Sequence, residues 1–458
     1  MEPVVAAGLV TLLGLGAAVA LAGAGSSKLD ISLLGGAILG VALLGLVATD
    51  WIDGTSIAII AIPLPALISA GSIRVAAAAP ITAIIIFAWF LRWGVRGGVL
   101  RVGRLPVRTL IALVLAFLLA AVAGTSPVTS MREVLNILVL LVFLVLVLDR
   151  FLHDRSRLHS AVTLFACTAA LIGGLAVLEM VGIIPGVFPR YGTPFNRAAL
   201  GFGQPNGLGL FLAVAIPLVA YVARHVRGAA GVAARIGLPI TLLGLVATFS
   251  RGAWVSLLAG STALLFARGG RFVTRIWLAA ILFIVVADIG TGGALRDTAE
   301  RSQQDWSIAQ RLILQLVGVR MFLDNPVLGV GPGAFEDHIE TYGAQIPGLV
   351  DFQTTPHNAY IQMAAEAGAV GFLAFTAFLG AGLLVAIRSA RQAARVNAVP
   401  ADRALRGALV WSFATACFNS LFLWPFAHGT GQAVLIVAAA AFALAAEPPR
   451  AAQPAGAG

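Results

Sequence analysis

The sequence predicts an all-α, polytopic membrane protein. Of its 458 residues, 59% are apolar and only 11% are charged, whereas an ordinary soluble domain is about a quarter charged. Apolar runs long enough to cross a hydrocarbon layer of ~30 Å as helix recur from one end of the chain to the other. One soluble core cannot hold this much apolar surface, so the class of soluble globular proteins is excluded.

These apolar runs predict about 12 to 14 membrane spans. The lower number applies if two short early runs are re-entrant or fuse. No cleavable signal peptide is expected, because no basic residue precedes the first run. The predicted spans are approximately 4–24, 31–49, 55–73, 76–91, 109–124, 133–148, 160–182, 206–223, 236–250, 252–267, 275–289, 359–387, 407–424 and 430–446.

The arginines predict the orientation of the chain. When successive loops are assigned alternately to two sides, twenty of the thirty basic residues fall on one side, and the positive-inside rule makes that side cytoplasmic. These arginines, among them Arg224, Arg235, Arg275 and Arg403, are interpreted as topology determinants that also meet anionic lipid headgroups. Both termini are then cytoplasmic, and a long polar segment lies outside the cytoplasmic (inner) membrane.

This orientation divides the chain into five regions. They are the N-terminal transmembrane helices (1–182), transmembrane helices with arginine motifs on the outer face (183–289), an extracytoplasmic loop that contains helices (290–357), the C-terminal transmembrane helices (358–447) and a disordered cytoplasmic tail (448–458).

Ten basic residues remain on the outer side, where they do not help to orient the chain. Lys28, Arg74 and Arg132 stand alone in short loops and are interpreted as interfacial groups. The other seven gather in three segments and need another explanation. They are Arg190, Arg197, Arg251, Arg296, Arg301, Arg311 and Arg320.

The first of these segments contains Arg197 and is rich in Gly, Pro and Asn, which predicts a loop. It ends at Pro205-Asn206, immediately before an apolar run. Asn206 is therefore a candidate cap for the next helix. A purely structural role for Asn206 and a headgroup contact for Arg197 stay open.

The second segment is Ser250-Arg251-Gly252, which joins two apolar runs with almost no loop. Arg251 must lie at the outer membrane boundary, where an ionisable residue is costly and requires an anionic partner. A lipid phosphate is one candidate partner. A distant acid such as Asp288 is the other, since no acid is adjacent in the sequence.

The third segment is the outer loop of nearly 70 residues, a length typical of functional loops. Apolar residues recur at helical spacing between Ser307 and Leu323, which predicts an amphipathic helix with Arg311 and Gln315 on one side. The glycine-rich turn 325–335 follows, and its backbone amides are candidates for phosphate contacts. Taken alone, this turn is a weak signal.

The loop ends at Pro356-His357-Asn358, directly before an apolar helix. Proline favours the first helical position, so His357 is expected in the first turn of that helix. There the helix dipole would keep the imidazole neutral at pH 7 and able to act as a base. A single histidine is more often structural, and this pattern alone does not decide between the two roles.

Three acids of the same loop, Glu336, Asp337 and Glu340, form a further cluster. They could supply a base or hold a divalent cation. A solvated face of the loop is the simpler interpretation, and no metal or other cofactor is expected.

In their order and spacing these motifs resemble the O-antigen ligase and O-antigen polymerase superfamily. The resemblance covers roughly residues 190–375, and the flanking spans match only as generic membrane helices. The motifs that carry it are Pro205-Asn206, Ser250-Arg251-Gly252, Arg311, the Pro326–Phe335 turn and Pro356-His357-Asn358.

The resemblance implies an integral-membrane glycosyltransferase that takes a glycan from an undecaprenyl-diphosphate donor and transfers it to an acceptor hydroxyl without a metal. Its partners would be that donor, a glycan or lipid-linked acceptor and membrane lipids, with no nucleic acid. A sugar hydroxyl needs a positioned base, for which His357 is the candidate. A departing diphosphate needs fixed cations, for which Arg251, Arg311 and Arg197 are the candidates. Asn206, Asn358 and Gln315 are supporting candidates.

A single base with direct displacement would invert the anomeric carbon. Ligase and polymerase activities are not separated by these motifs. The alternative from another class is a transporter or flippase for lipid-linked glycans, favoured by the number of spans and by helix-interrupting Pro and Gly. A non-catalytic scaffold is the third candidate.

Overall fold

The computed structural model confirms an all-α, polytopic membrane protein with one short β-hairpin. The chain divides into two compact units, Met1–Arg101 and Val102–Gly458. The structure describes residues 40–50, 52–64, 66–70, 73–76, 78–96, 104–186, 188, 195–268, 270–290, 306–344, 346, 355–426 and 429–450. The predicted span 4–24 and the first nine residues of 31–49 lie outside these residues.

The first unit contains helices α1 (40–48), α2 (Gly54–Ala61) and α3 (Ala78–Arg96), with the antiparallel strands β1 (Ala66–Ala70) and β2 (Ile73–Ala76) between the last two. The Asp53 carboxylate caps α2 by accepting from the Ser56 amide at 2.9 Å. The predicted span 55–73 is wrong, because the helix ends at Ala61. Pro63 and Pro65 follow directly, and proline lacks the amide that a continuing helix requires.

The second unit carries the remaining helices. Two of its helices, Arg251–Ser261 and Leu265–Arg268, are joined by a 3-10 turn at Thr262–Leu264. In chain order they are α4 (Arg104–Ala123), α5 (Pro127–His153), α6 (Arg155–Met180), α7 (Pro205–His225), α8 (Ala229–Ala247), α9 (Arg251–Ser261), α10 (Leu265–Arg268), α11 (Gly270–Gly290), α12 (Trp306–Asp324), α13 (Phe335–Gly343), α14 (Ala359–Arg395), α15 (Pro400–Asn419) and α16 (Thr430–Ala446).

Within the described residues, five helices are long and apolar enough to cross a membrane, namely α5, α6, α7, α8 and α14. Shorter apolar helices lie at Ala78–Arg92, Arg108–Ala123 and Thr430–Ala446. Helix α7 has 21 residues, or about 30 Å of rise, which matches the thickness of the hydrocarbon layer. Its two ends therefore mark two faces of the helical bundle.

Helices α6 and α8 pack closely through small residues. A Cβ atom on Gly173 of α6 would lie 2.7 Å from the Thr241 Cα atom of α8, and one on Gly244 of α8 would lie 2.5 Å from the Gly173 Cα atom. Backbones of membrane helices approach this closely only where side chains are absent. This packing fixes the end of α8, which leads into the turn at Ser250.

A buried ion network ties the helices together at the face where α7 ends. Asp402 of α15 accepts from Arg155 of α6 and, at 3.0 Å, from Arg406. Arg155 also pairs with Glu447 at 2.9 Å, and Arg406 donates to the Ser389 hydroxyl of α14. Removing one partner of such a buried pair costs about 3–5 kcal/mol. Arg155 and Arg406 therefore stabilise the fold in addition to any role in topology.

Candidate active site

His357 lies directly before the N-cap of α14. Asn358 is the N-cap, and its side-chain oxygen accepts from the Tyr360 and Ile361 amides at 3.0 and 3.2 Å. His357 thus precedes the helix, so its expected position in the first helical turn is wrong. Its φ of 52° lies in the left-handed region, which non-glycine residues adopt at a cost and often at functional sites.

The imidazole of His357 is neutral at pH 7. Burial lowers its pKa from 6.5 to about 4, and the positive charge of Arg311 acts in the same direction. Its Nδ1 atom is buried, and none of the described residues hydrogen-bonds to it. A neutral, strained and half-buried imidazole beside a guanidinium has the properties of a general base held ready for a proton.

Arg311 is presented by α12, which packs on the first turns of α14. A Cβ atom on Gly318 of α12 would lie 2.7 Å from the Ile361 side chain of α14. Leu314 and Val317 of α12 form a buried cluster with Ala365 of α14. This core places Arg311 near His357.

The face of α12 that points away from α14 is apolar and exposed. Leu312, Leu316 and Leu323 are 61, 45 and 66% exposed, which agrees with the predicted amphipathic helix. Gln315 lies one turn beyond Arg311 on the same helix and is half-buried. Arg320 donates to the Tyr342 carbonyl at 3.4 Å and so links α12 to α13.

The glycine-rich turn is inserted into a break in α14. The Val330 and Gly331 amides donate to the Ala365 and Glu366 carbonyls at 3.0 and 2.9 Å, and the Ala369 amide donates to the Pro326 carbonyl at 2.8 Å. The break lies at Gly368, whose φ is 61°.

The predicted phosphate contacts of this turn are not supported, because its amides already have protein partners. The Gly329 amide donates to the Asn325 carbonyl at 3.0 Å. The Gly333 amide donates at 2.9 Å to the carboxylate of Glu366, which is 2% exposed. Gln362 donates to the other oxygen of that carboxylate at 3.1 Å. The turn therefore fastens the connection between α12 and α13 to α14.

The second arginine motif forms a tight turn between α8 and α9. Phe249 adopts a φ of 48°, and the Ser250 hydroxyl donates to the Asn206 side chain at 3.1 Å. Asn206 is not the cap of α7, because that helix begins at Pro205 with Gln204 before it. Asn206 instead connects the Pro-Asn motif to the Ser-Arg-Gly motif.

Arg197 lies beside the same turn. Its Nε atom donates to the Thr248 carbonyl at 3.3 Å, and the amide of the next residue, Ala198, donates to the Ala247 carbonyl at 2.9 Å. The segment after Arg197 is held by Glu179 of α6, which is 2% exposed and accepts from the Ala199 and Leu200 amides. Arg197, Asn206 and the Ser250–Gly252 turn thus form one group.

The connection after α15 joins this group to the start of α14. A Cβ atom on Gly252 would lie 2.8 Å from the Phe422 ring, and Asn419 donates to the Ser256 hydroxyl at 3.2 Å. The Ser420 carbonyl accepts from the Ala359 amide at 2.7 Å. The N-termini of α9 and α14 therefore flank one segment, residues 419–422.

Sequence reasoning missed the residues that hold this arrangement. Asn419 and Ser420 lie in an apolar run, and nothing in the sequence relates them to a loop more than 50 residues earlier. Glu366 gave a detectable signal, since an acid inside a predicted span is costly unless it is hydrogen-bonded.

The acidic cluster on α13 is a solvated face. Glu336, Asp337 and Glu340 are all exposed. Glu336 and Asp337 occupy the first turn, where the helix dipole favours carboxylates. The described residues contain no group of three or more potential metal ligands.

Some candidates have no structural description. Arg190, Arg296 and Arg301 lie outside the described residues, as does the side chain of Asp288.

A family model described as O-antigen ligase matches residues 236–376. The resemblance to the O-antigen ligase and polymerase superfamily is confirmed. The family match contains the Ser250–Gly252 turn, Arg311, the glycine-rich turn and Pro356–Asn358, whereas Arg197 and Asn206 precede it. No curated protein matches this sequence. The match covers 141 of the 458 residues, and over this part the chain is similar to a membrane glycosyltransferase family of the O-antigen ligase type.

Proposed function

We propose that this protein moves a glycan from an undecaprenyl-diphosphate donor to an acceptor hydroxyl, on the outer side of the cytoplasmic membrane. The observation that carries the proposal is the half-buried, neutral His357 beside Arg311, within the region that the family model matches. The clustering of Arg197 and Arg251 at the same face of the bundle supports it.

His357 acts as the general base. A sugar hydroxyl has a pKa far above 7, and a base that removes its proton during attack contributes about 10²–10⁴-fold in rate. A neutral imidazole can accept that proton over the whole physiological range, because the pKa of His357 is about 4. The low pKa weakens the base. Binding of the diphosphate neutralises the charge of Arg311 and so removes the smaller of the two causes of the low pKa.

Arg251, Arg311 and Arg197 bind the donor diphosphate. Negative charge develops on the diphosphate as the glycosidic bond breaks, and guanidinium groups fixed beforehand stabilise it without reorganisation. These fixed charges supply the role that a divalent cation plays in other transferases, so we propose metal-independent transfer. Asn206 positions the turn that carries Arg251 through its hydrogen bond with Ser250, and Asn358 positions His357 by capping α14.

Attack by the hydroxyl on the anomeric carbon displaces the lipid diphosphate in one step and inverts the configuration. Retention would require a carboxylate nucleophile beside the bond. Glu366 on α14 is buried and already accepts two hydrogen bonds. Comparison of the anomeric configuration in donor and product tests this step, and a retained configuration contradicts it.

The whole proposal is tested with purified protein, a synthetic undecaprenyl-diphosphate glycan and candidate acceptors, with mass analysis of the products. The His357→Ala variant is expected to lose at least about a hundredfold in transfer rate and to leave the donor unconsumed. His153→Ala is the matched control, because His153 lies on a different helix and is exposed. Transport of the donor across vesicles with no transfer by the unmodified protein would favour the flippase instead.

A further inference from the structure

A large cavity lies at the face of the bundle opposite His357. It has a volume of about 1060 Å³ and is lined by the ends of α7, α8, α14 and α15 that are remote from the candidate active site. Helix α7 begins at the Asn206 contact and reaches this cavity at its last turn, about 30 Å away. The cavity therefore belongs to a different site.

The charges of this cavity are all of one sign. Arg224, Arg235 and Arg275 line it from three different helices, and Arg403 joins them from a fourth. Its described lining contains no Asp or Glu. The nearby acids Asp402 and Glu447 are engaged elsewhere, in the ion network with Arg155 and Arg406.

One end of the cavity is cationic and the other end, further along the helix axes, is apolar. Pro217 lines it seven residues before Arg224 on α7, and Trp411 lines it eight residues after Arg403 on α15. Both lie about 10–12 Å deeper toward the middle of the bundle. Leu238 and Leu264 add to this apolar part. Cations at one end and an apolar wall at the other match a phosphate headgroup with its acyl chains. A soluble anion has no apolar group that could bind to the apolar wall.

We propose that this cavity binds an anionic phospholipid of the cytoplasmic leaflet, with its phosphate on Arg224, Arg235 and Arg275. Basic pockets between membrane helices on this side bind such headgroups. The volume of about 1060 Å³ is at the upper end of the range for ligand-binding pockets, which is about 300–1,000 Å³. The bound lipid holds α7, α8 and α15 together at the end where like charges would otherwise repel.

The test uses the full-length protein, delipidated in detergent and titrated with phosphatidylglycerol or phosphatidylcholine, with bound lipid counted by native mass spectrometry. The unmodified protein should prefer phosphatidylglycerol. Each arginine near a membrane surface gives about a fivefold preference for an anionic lipid. Replacement of Arg224, Arg235 and Arg275 by Gln should lower the affinity for phosphatidylglycerol at least about tenfold.

The matched control replaces Arg227, Arg271 and Arg395 by Gln, which changes the net charge equally. These three arginines are exposed, lie at the same face and do not line the cavity. Their replacement should change the affinity less than about twofold. Equal losses in the two triple variants would overturn the proposal, as would displacement of the lipid by millimolar inorganic phosphate.

If the triple cavity variant does not fold, single variants still test the proposal. The single variants Arg224→Gln, Arg235→Gln and Arg275→Gln each remove one charge and should each lower the affinity about fivefold. If all three single variants are monodisperse and bind phosphatidylglycerol as the unmodified protein does, the proposal is wrong.

Discussion

Replacement of Arg311 by Gln should raise the pKa of His357. Burial is the larger cause of the low pKa and remains in the variant, whereas the charge of Arg311 is removed. Because the charge of Arg311 is the smaller cause, the pKa should rise by less than half of the difference between 4 and 6.5, to about 5. At pH 5 a group with a pKa of 4 is about nine-tenths neutral, and one with a pKa of 5 is about half neutral. The difference is easily measured.

The sign of the effect also fixes the pH dependence of stability. His357 binds a proton less readily in the folded protein than in the unfolded chain, since its pKa falls from 6.5 to about 4 on folding. Its contribution to folding is complete above about pH 6.5 and is lost as the pH falls toward 4. Because Arg311→Gln raises the pKa of His357 in the folded protein, the pH range over which stability is lost should begin above pH 4 in this variant and still end at about pH 6.5.

The assay is an NMR titration of protein labelled in the imidazole ring, in which the His357 signal is assigned by its loss in His357→Gln. This readout does not depend on activity, which Arg311→Gln should also reduce. Arg320→Gln is the matched control on the same helix, because Arg320 donates to Tyr342 instead. A His357 pKa near 6.5 in the unmodified protein, or no change in Arg311→Gln, would refute the electrostatic argument.

Three further predictions concern stability, measured by thermal unfolding in detergent. Glu366→Ala removes the acceptor of two hydrogen bonds from a buried site and should cost about 2–4 kcal/mol; an unchanged melting temperature would contradict the anchoring role. Gly368→Ala should yield little folded protein, because its Cβ atom would lie 2.2 Å from the backbone of the glycine-rich turn. Gly380→Ala on the same helix meets nothing within 4 Å and should fold normally. Ser250→Ala and Asn206→Ala should each cost about 1 kcal/mol, and the double variant should cost less than their sum; strict additivity would exclude their hydrogen bond.

The membrane class and most helices of the second unit are predictable from the sequence. Span 206–223 corresponds closely to α7, because long apolar runs leave helix as the only stable backbone in lipid. Span 236–250 overlaps α8, which begins earlier, at Ala229, and ends at Ala247. The error at 55–73 has a local cause. Pro63 and Pro65 interrupt an apolar run whose composition alone resembles a span.

The candidate residues could be named from the sequence, whereas their arrangement could not. The arginines and His357 are noticeable in the sequence because they are ionisable groups at the ends of apolar runs. The sequence offers two possible starts for α14, one at Pro356 and one after Asn358. The helix begins after Asn358, because the Asn358 side chain caps it, and His357 therefore precedes the helix. The role of the glycine-rich turn depends on the break at Gly368, which only tertiary contacts reveal.

The most direct test of the central claim is an experimental structure of the protein with undecaprenyl diphosphate bound. The account predicts that the diphosphate lies within hydrogen-bonding distance of Arg251 and Arg311, with the His357 ring facing the position of the departing sugar. A diphosphate bound elsewhere, or a ring of His357 turned away from a diphosphate held by both arginines, would contradict it.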